Sequence, residues 1–339
     1  MPIAADQSPA QNTKRRRAPF ILGAIVLLAA AGWWIWLWTQ RAPEAARLLP
    51  ESDAVIYVNL RPLRLASLFA SLPPVKPDSG YASFIQATSF RFERDLDAAA
   101  IAVHLPRTSS GSGNLAADQG PIAGQARFSE VFIGRFDVAR LTAWLRKNSS
   151  HTEQMQGHEI FVLPVEDRTV RVAVISSRLM LVTNSEDVDA LRQMLRNSAA
   201  LSAPEGPHLV RKDYKDVPAG SLAWALAQPG KNLPLPNGLE IPIPAGTTWV
   251  ASVRYAGEIQ LQAQALTASD DDARQVAESL GTLLALFRSI QANTQPRGPD
   301  ADVKAFFDSL EVHQDKNRAV VTAEMPAGFV QKLVNGMAK

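Results

Sequence analysis

Histidine and acidic side chains are the residues of this 339-residue chain that could bind a metal ion or move a proton. The chain has five histidines, which are His104, His151, His158, His208 and His313. A helical zinc site needs two histidines about one turn apart, as in His-Glu-x-x-His, and no two of these histidines have that spacing. The sequence therefore predicts no metal site, and we interpret the histidines as surface or strand-edge residues.

Three consecutive aspartates, Asp270, Asp271 and Asp272, could suggest a site for a hard cation. A calcium loop, however, alternates its oxygen ligands around a turn that contains glycine. Here Ser269 precedes the aspartates and an apolar helical pattern follows them. Serine caps and acidic first turns are typical of helix N-termini, so we predict the start of a helix and no cation site.

The sequence also lacks common nucleophile and nucleotide motifs. With no cysteine in the chain there is neither a thiolate site nor a disulfide, and no Gly-x-Ser-x-Gly elbow marks a serine hydrolase. The glycine-rich segment 107–125 lacks the Gly-Lys-Ser/Thr that closes a phosphate loop, and we interpret it as a hairpin loop. We predict no catalytic residue and no cofactor. A hydrolase whose carboxylates converge in space stays open as an alternative.

The N-terminal region carries the most informative pattern of the chain. Residues 18–38 are 21 consecutive uncharged residues, which as a helix rising about 1.5 Å per residue would cross the roughly 30 Å hydrocarbon core of a bilayer. Basic residues precede this run and tryptophans end it, as the positive-inside rule and the interfacial aromatic belt require. These topology residues are Lys14, Arg15, Arg16, Arg17, Trp33, Trp34, Trp36 and Trp38.

A cleaved export signal is the alternative explanation of this run. The apolar region of such a signal is usually about 7 to 15 residues long and ends at a small-residue cleavage site. Residues 29–31 are alanines that could mimic such a site, but the apolar run continues beyond them to Trp38. We therefore predict an uncleaved anchor in the lipid bilayer of the cytoplasmic (inner) membrane, with the N-terminus inside and most of the chain in the periplasm or outside.

The charge distribution argues against a nucleic-acid partner. The first forty residues contain four basic residues and one acidic residue, whereas the remaining chain contains 31 basic and 32 acidic residues. A nucleic-acid-binding protein carries its basic excess on the folded part. Because only the short N-terminal stretch is basic here, we assign it a topogenic role.

Beyond the anchor, the apolar pattern alternates between strand and helix periods. Strand pairs followed by an amphipathic helix occur at 158–197, 247–292 and 309–338, and two short strands are predicted around an acidic turn at 89–105. Asp137 and Ser185 are predicted helix caps. The pattern predicts an α+β fold of antiparallel sheets with helices packed on one face, because each hairpin is followed by a helix with one apolar stripe.

Residues 49–60 and 217–228 are weakly similar in sequence, which suggests that the fold is duplicated. We therefore predict five regions. They are a disordered basic cytoplasmic tail at 1–17, a transmembrane helix at 18–38, a linker at 39–51, a first α+β domain at 52–205 and a second at 206–339.

The sequence resembles a family of uncharacterised bacterial single-pass proteins with a signal anchor and an α+β extracytoplasmic domain. The matching features are an "LPxxxxxVYVxL"-type strand with Leu49, Pro50, Tyr57 and Val58, a "GRFD" helix start at 134–137, a glycine-led strand with Gly157, Ile160 and Phe161, and an "LVTNSEDV"-like step at 181–188. The resemblance covers most of the exported region. It implies architecture and topology and brings no catalytic residue with it.

The segment 227–246 departs from the pattern because five prolines interrupt its apolar residues. Its apolar side chains are Leu233, Leu235, Leu239, Ile241 and Ile243. Extended proline-rich backbone can dock on a partner or cover a sheet edge, and packing on its own domain is the alternative.

The sequence thus predicts a binding or scaffolding component of the bacterial cell envelope, with an envelope protein as its candidate partner. The alternatives are a hydrolase, which converging carboxylates would favour, and a sensor-like module that binds a small ligand between the two halves. An apolar cleft would favour that module.

Overall fold

An antiparallel sheet of twelve strands organises the folded part of the chain. The computed structural model describes residues 41–65, 79–105, 127–165, 168–202, 204–228, 232–234, 240–255, 257–294, 301–326 and 328. The strands are β1 Ala54–Asn59, β2 Leu96–His104, β3 Arg127–Gly134, β4 His151–Met155, β5 His158–Val165, β6 Arg168–Val174, β7 Leu179–Thr183, β8 Ala223–Ala227, β9 Asn232–Pro234, β10 Glu240–Pro242, β11 Thr248–Tyr255, β12 Ile259–Leu266, β13 Glu311–Asp315 and β14 Arg318–Met325.

The described helices flank this sheet. They are α1 Glu44–Leu48, α2 Leu60–Leu65, α3 Ser79–Thr88, α4 Phe92–Asp95, α5 Val138–Asn148, α6 Val188–Ala199, α7 His208–Asp213, α8 Asp270–Thr294 and α9 Ala301–Ser309. Among them, none is both long and apolar enough to cross a membrane. The predicted tail and transmembrane helix, with their basic and tryptophan topology residues, lie outside the described residues.

The strand order is β13-β14-β12-β11-β8-β1-β2-β3-β7-β6-β5-β4, and β9 and β10 form a separate two-stranded sheet. On one side of the β1–β8 pair the order is β1-β2-β3-β7, and on the other side it is β8-β11-β12-β14. Each side begins with three strands in chain order and continues with a later strand. The predicted α+β fold with antiparallel sheet is confirmed. The predicted boundary at 205 falls between α6 and α7, and the sheet continues across it through β1 and β8. The division into two domains stays a prediction.

Helices cover both faces of the sheet. Neighbouring side chains of a strand point to opposite faces, and on β5 Ile160 belongs to one buried cluster while Phe161 belongs to another. Residues of α1, α6 and α7 fill the first cluster, and residues of α5 fill the second. We call the first the α6 face and the second the α5 face. The predicted packing of helices on one face is therefore wrong.

The sequence contains the physical reason for this difference. Residues 160–163 are Ile, Phe, Val and Leu, and all four side chains are buried. A continuous apolar run of this kind is typical of strands that are covered on both faces, whereas strands with one wet face alternate. A helix that follows a hairpin predicts that one face of the sheet is covered. It does not show whether the other face is covered as well.

Of the predicted helix caps Asp137 and Ser185, the structure confirms the first alone. Asp137 caps α5 as predicted, because its Oδ1 accepts a hydrogen bond from the Arg140 amide at 3.1 Å. The predicted cap Ser185 is wrong for α6. Asp187 accepts the capping bond from the Asp189 amide at 2.8 Å, while the Ser185 hydroxyl accepts from the Asp187 amide at 3.2 Å. Ser185 therefore stabilises the turn that precedes α6, two residues before the actual cap.

The segment 89–105 also differs from the prediction of two strands. Its first part forms the short helix α4, and a single strand, β2, follows directly. The Asp95 carboxylate accepts a hydrogen bond from the Arg91 amide at 3.0 Å, which closes this turn. A side chain that bonds back to its own backbone competes with strand pairing, so the acidic stretch coils instead of extending.

The contact between the end of β3 and the start of β2 leaves no room for a side chain at Gly134. A Cβ there would lie 2.5 Å from the carbonyl oxygen of Asp95 and 3.2 Å from the Cα of Leu96. Because both neighbours are backbone atoms, Gly134→Ala is expected to lower the free energy of unfolding by about 1–3 kcal/mol, as measured by chemical denaturation.

Gly281→Ala is the matched control for this substitution. Gly281 lies inside α8, and a Cβ there meets no atom within 4 Å. Alanine is favoured over glycine in a helix by about 1 kcal/mol, so this variant should be at least as stable as the parent chain. Equal stability of the Gly134 and Gly281 variants would contradict the close approach of β2 and β3.

Candidate functional site: an apolar groove on the sheet

The last strands of the sheet separate polar from apolar side chains. On β12, Gln260 and Gln262 alternate with Leu261 and Ala263, and the register pairs Ala263 with Ala251 of β11. Paired residues of an antiparallel ladder share a face. The glutamines therefore lie on the α6 face, and the apolar residues lie on the α5 face.

An open apolar groove of about 440 Å³ runs across this α5 face. Alanines form its floor: Ala225 of β8 pairs with Ala251, which pairs with Ala263. The floor extends to Ile56 of β1 and to Val321 of β14. Among the described residues that line the groove, none carries a charge. The volume falls in the range of small-molecule sites, about 300–1,000 Å³, and such sites are mostly apolar.

Helix α9 bounds the groove, and α8 lies beside it on the same face of the sheet. Phe306 and Leu310, in and just after α9, contribute side chains to its wall. The α8 helix covers the neighbouring part of the sheet, where Val276 packs with Ala265 and Ala319.

A hydrogen-bonded arginine joins the two helices. Arg288 of α8 donates from Nη2 to the carbonyl oxygens of Phe307 at 3.1 Å and Leu310 at 2.8 Å. These bonds satisfy backbone carbonyls at the C-terminal end of α9. The wall of the groove is thus held against α8 by charge-assisted bonds.

Apolar side chains are exposed in the groove and also on α8. Ile56 is 38% exposed on the groove, and Leu286 and Phe287 of α8 are each 47% exposed beside the arginine that joins α8 to α9. Leaving apolar surface in water costs about 25 cal/mol per Å². An apolar cleft with exposed side chains such as Ile56 is typical of a ligand site.

A carboxyl group lies in line with the groove, two strands beyond Ile56. The register pairs Ile56 with Ile101 of β2 and Ile101 with Glu130 of β3, so all three share the α5 face. At about 4.8 Å per strand, the backbones of β1 and β3 are about 10 Å apart. Burial raises the pKa of the Glu130 carboxyl. Glu130 is thus a titratable group on the same face as the groove, two strands away from Ile56.

A second cavity of about 500 Å³ is polar and brings four carboxyl groups together. They belong to Glu51, Asp53, Asp187 and Asp189. Each is already engaged within the fold. Three accept hydrogen bonds from backbone amides, those of His208, Leu105 and Asp189, and the fourth pairs with Arg192. A set of carboxylates that hold the backbone is explained by structure, and it does not favour a hydrolase.

A histidine and a serine meet beside this polar cavity. His104 Nε2 lies 3.0 Å from Ser129 Oγ, which lies 3.0 Å from Thr183 Oγ1. Burial lowers the pKa of His104, against the opposing fields of Asp53 and Asp187. Ser129 is completely buried, and a nucleophile needs access to its substrate. We interpret the three hydrogen-bonded side chains as a structural link between β2, β3 and β7.

The residues that the sequence singled out are not brought together at the groove. Asp270, Asp271 and Asp272 form the first turn of α8, and the Ser269 hydroxyl accepts a hydrogen bond from the Asp272 amide at 3.1 Å. Within the described part of the chain, no three histidine, aspartate or glutamate side chains are arranged to hold a metal ion.

The proline-rich segment contains the small β9–β10 sheet, in which Leu233 pairs with Ile241. Ile243 is 5% exposed, whereas Leu235 and Leu239 lie outside the described residues. A role of this segment in partner binding stays a prediction.

Sequence reasoning missed the groove because its residues come from five separated strands. One signal was present: alanines recur at alternate positions of residues 223–227 and again at 251 and 263. Alanine fits a strand poorly compared with β-branched residues. Its repetition on one face leaves a shallow surface that no neighbouring side chain of the described residues fills.

Comparison with known proteins identifies the fold alone. No protein-family model matches the chain, and no curated protein sequence matches it. The chain is similar to crystal form III of TP0453, with 10% identity, a TM-score of 0.50, and coverage of 88% of this chain and 98% of that chain. Form IV has 10% identity, a TM-score of 0.46 and coverages of 87% and 96%, and form I has 10% identity, a TM-score of 0.45 and coverages of 88% and 97%.

Removal of the Glu130 charge should stabilise the protein at neutral pH. Because the pKa of Glu130 is raised in the fold, the folded chain holds this proton more tightly than the unfolded chain does. Ionisation therefore reduces stability above the raised pKa and has no effect below the ordinary value of about 4.3. Glu130→Gln should raise the melting temperature at pH 7, and the gain should disappear as the pH falls below that ordinary value.

Glu258→Gln, in the exposed turn between β11 and β12, is the control. It should leave the melting temperature nearly unchanged at both pH values. A lower melting temperature of the Glu130 variant at pH 7 would show that its carboxylate is stabilised by a partner.

Proposed function

We propose that this chain is a membrane-anchored extracytoplasmic binding protein that holds an apolar ligand in the groove on the α5 face. The uncharged lining of the groove is the observation that carries the proposal. A fixed apolar cavity favours ligands that lose little hydration on entry, and polar groups without partners would be disfavoured there. This proposal develops the ligand-binding alternative from the sequence, and the groove on β1, β8, β11, β12 and β14 supports it.

The groove lies where the two predicted halves of the chain meet. Ile56 comes from the first half, and the alanines of β8, β11 and β12 come from the second. The matching strand order on both sides of the β1–β8 pair supports a duplicated fold. Duplication accounts for a site at this position, because the symmetry-related strands β1 and β8 become neighbours.

The sequence supports the anchored, extracytoplasmic part of the proposal. The uncharged run at 18–38, its basic flank and its tryptophans are typical of a signal anchor. A single-pass protein of this kind belongs to the cytoplasmic membrane and exposes its folded part in the periplasm or outside. An envelope protein remains a second candidate partner, through the proline-rich segment 227–246.

Ligand binding can be measured with a single fluorescent label, since the chain has no native cysteine. Ile56→Cys, labelled with bimane, reports on the groove in the full chain held in phosphatidylcholine nanodiscs. A short alkyl nitroxide added to the solution should quench this label in a saturable way. Ala251→Phe in the same background should weaken that binding at least about tenfold, since it fills the floor of the groove.

Val165→Cys is the matched control position. Its side chain is 48% exposed, close to the 38% of Ile56, and it lies at the end of β5, far from the groove in strand order. The label there should be quenched linearly, by collision alone. Identical linear quenching at both positions would contradict a binding site in the groove.

A further inference from the structure

We infer that the groove takes one acyl chain of a lipid from the same membrane that holds the anchor. This inference rests on the proposed function and names the chemical class of the ligand. It requires a groove of suitable size and polarity, a route to lipid, and a free-energy gain when a chain leaves the bilayer.

The size and polarity of the groove fit a single hydrocarbon chain. A methylene group occupies about the volume of a water molecule, roughly 30 Å³, so a cavity of about 440 Å³ holds about 15 of them. None of its described lining residues is charged, and strand alternation places the polar side chains of Ser252, Gln262 and Thr322 on the opposite face of the sheet. The groove is open along one side, so a lipid headgroup can stay in water.

The predicted anchor gives the chain a route to lipid. In the proposed single-pass topology, the anchor and the groove belong to the same chain. Tethering to the membrane raises the effective concentration of its lipids for a site on that chain.

The gain on binding comes from the surface of the protein. An acyl chain is already in an apolar medium inside the bilayer, so its own transfer to another apolar site contributes little. The empty groove, in contrast, exposes alanines and Ile56 to water. Covering this surface is favourable in proportion to the apolar area removed from water. An exposed alanine floor flanked by phenylalanine and leucine is thus suited to a flexible chain that adapts to its shape.

The test uses nanodiscs of phosphatidylcholine whose acyl chains carry bromine near their middle. Bromine quenches a fluorophore that it contacts, so the bimane at Ile56→Cys should lose most of its emission in brominated discs relative to unbrominated discs. Ala251→Phe in the same background should restore most of that emission, because the filled groove excludes the chain. The label at Val165→Cys should keep its emission in both kinds of disc.

Two results would overturn the inference in different ways. If the soluble alkyl nitroxide still binds at Ile56→Cys but brominated lipid leaves the label bright, the groove is an apolar site whose ligand is not a membrane lipid. If neither probe quenches the label in a manner that depends on Ala251, the proposed function fails as well. Quenching by brominated lipid that Ala251→Phe leaves unchanged shows nearness to the bilayer alone, and it contradicts entry of a chain into the groove.

Discussion

The pairing of β1 with β8 is the contact on which the rest of the structure depends. It joins residues 54–58 to residues 223–227 and makes one sheet of two chain segments that are far apart in sequence. Tyr57 and Trp224 stack across this pair at 5.4 Å between ring centroids, and both side chains are buried on the α6 face. Burial raises the pKa of Tyr57 to about 12, so the phenol stays neutral beside the indole. On the opposite face, the same pair brings Ile56 beside Ala225.

The two faces of this central pair have different consequences. Large aromatic side chains fill the α6 face, where they bury much apolar area per residue and are well suited to hold two segments together. Small side chains continue the α5 face into the groove, where Ala225, Ala251 and Ala263 leave space above the sheet. A single antiparallel register therefore fixes a tightly packed seam on one side and an unfilled surface on the other.

Much of the fold could be predicted from local patterns, whereas the groove could not. Asp137 and Ser269 predict the starts of their helices, because capping depends on residues that are close in sequence. The alternation of polar and apolar residues on β12 predicts its polar face. The groove depends on which strands become neighbours, and a single sequence carries little information about pairing between residues 54–58 and 223–227. Helices on both faces are likewise a tertiary outcome, which the four buried residues of β5 indicated only indirectly.

The central claim is that an apolar ligand lies on the sheet at the β1–β8 seam. The most direct measurement is photo-cross-linking of the full chain in nanodiscs with an alkyl diazirine, followed by peptide mapping. The account predicts that the adducts fall mainly on β1, β8, β11, β12, β14 and α9, whose residues line the groove. Adducts spread evenly over exposed apolar residues elsewhere, such as Phe92 and Val165, would contradict it.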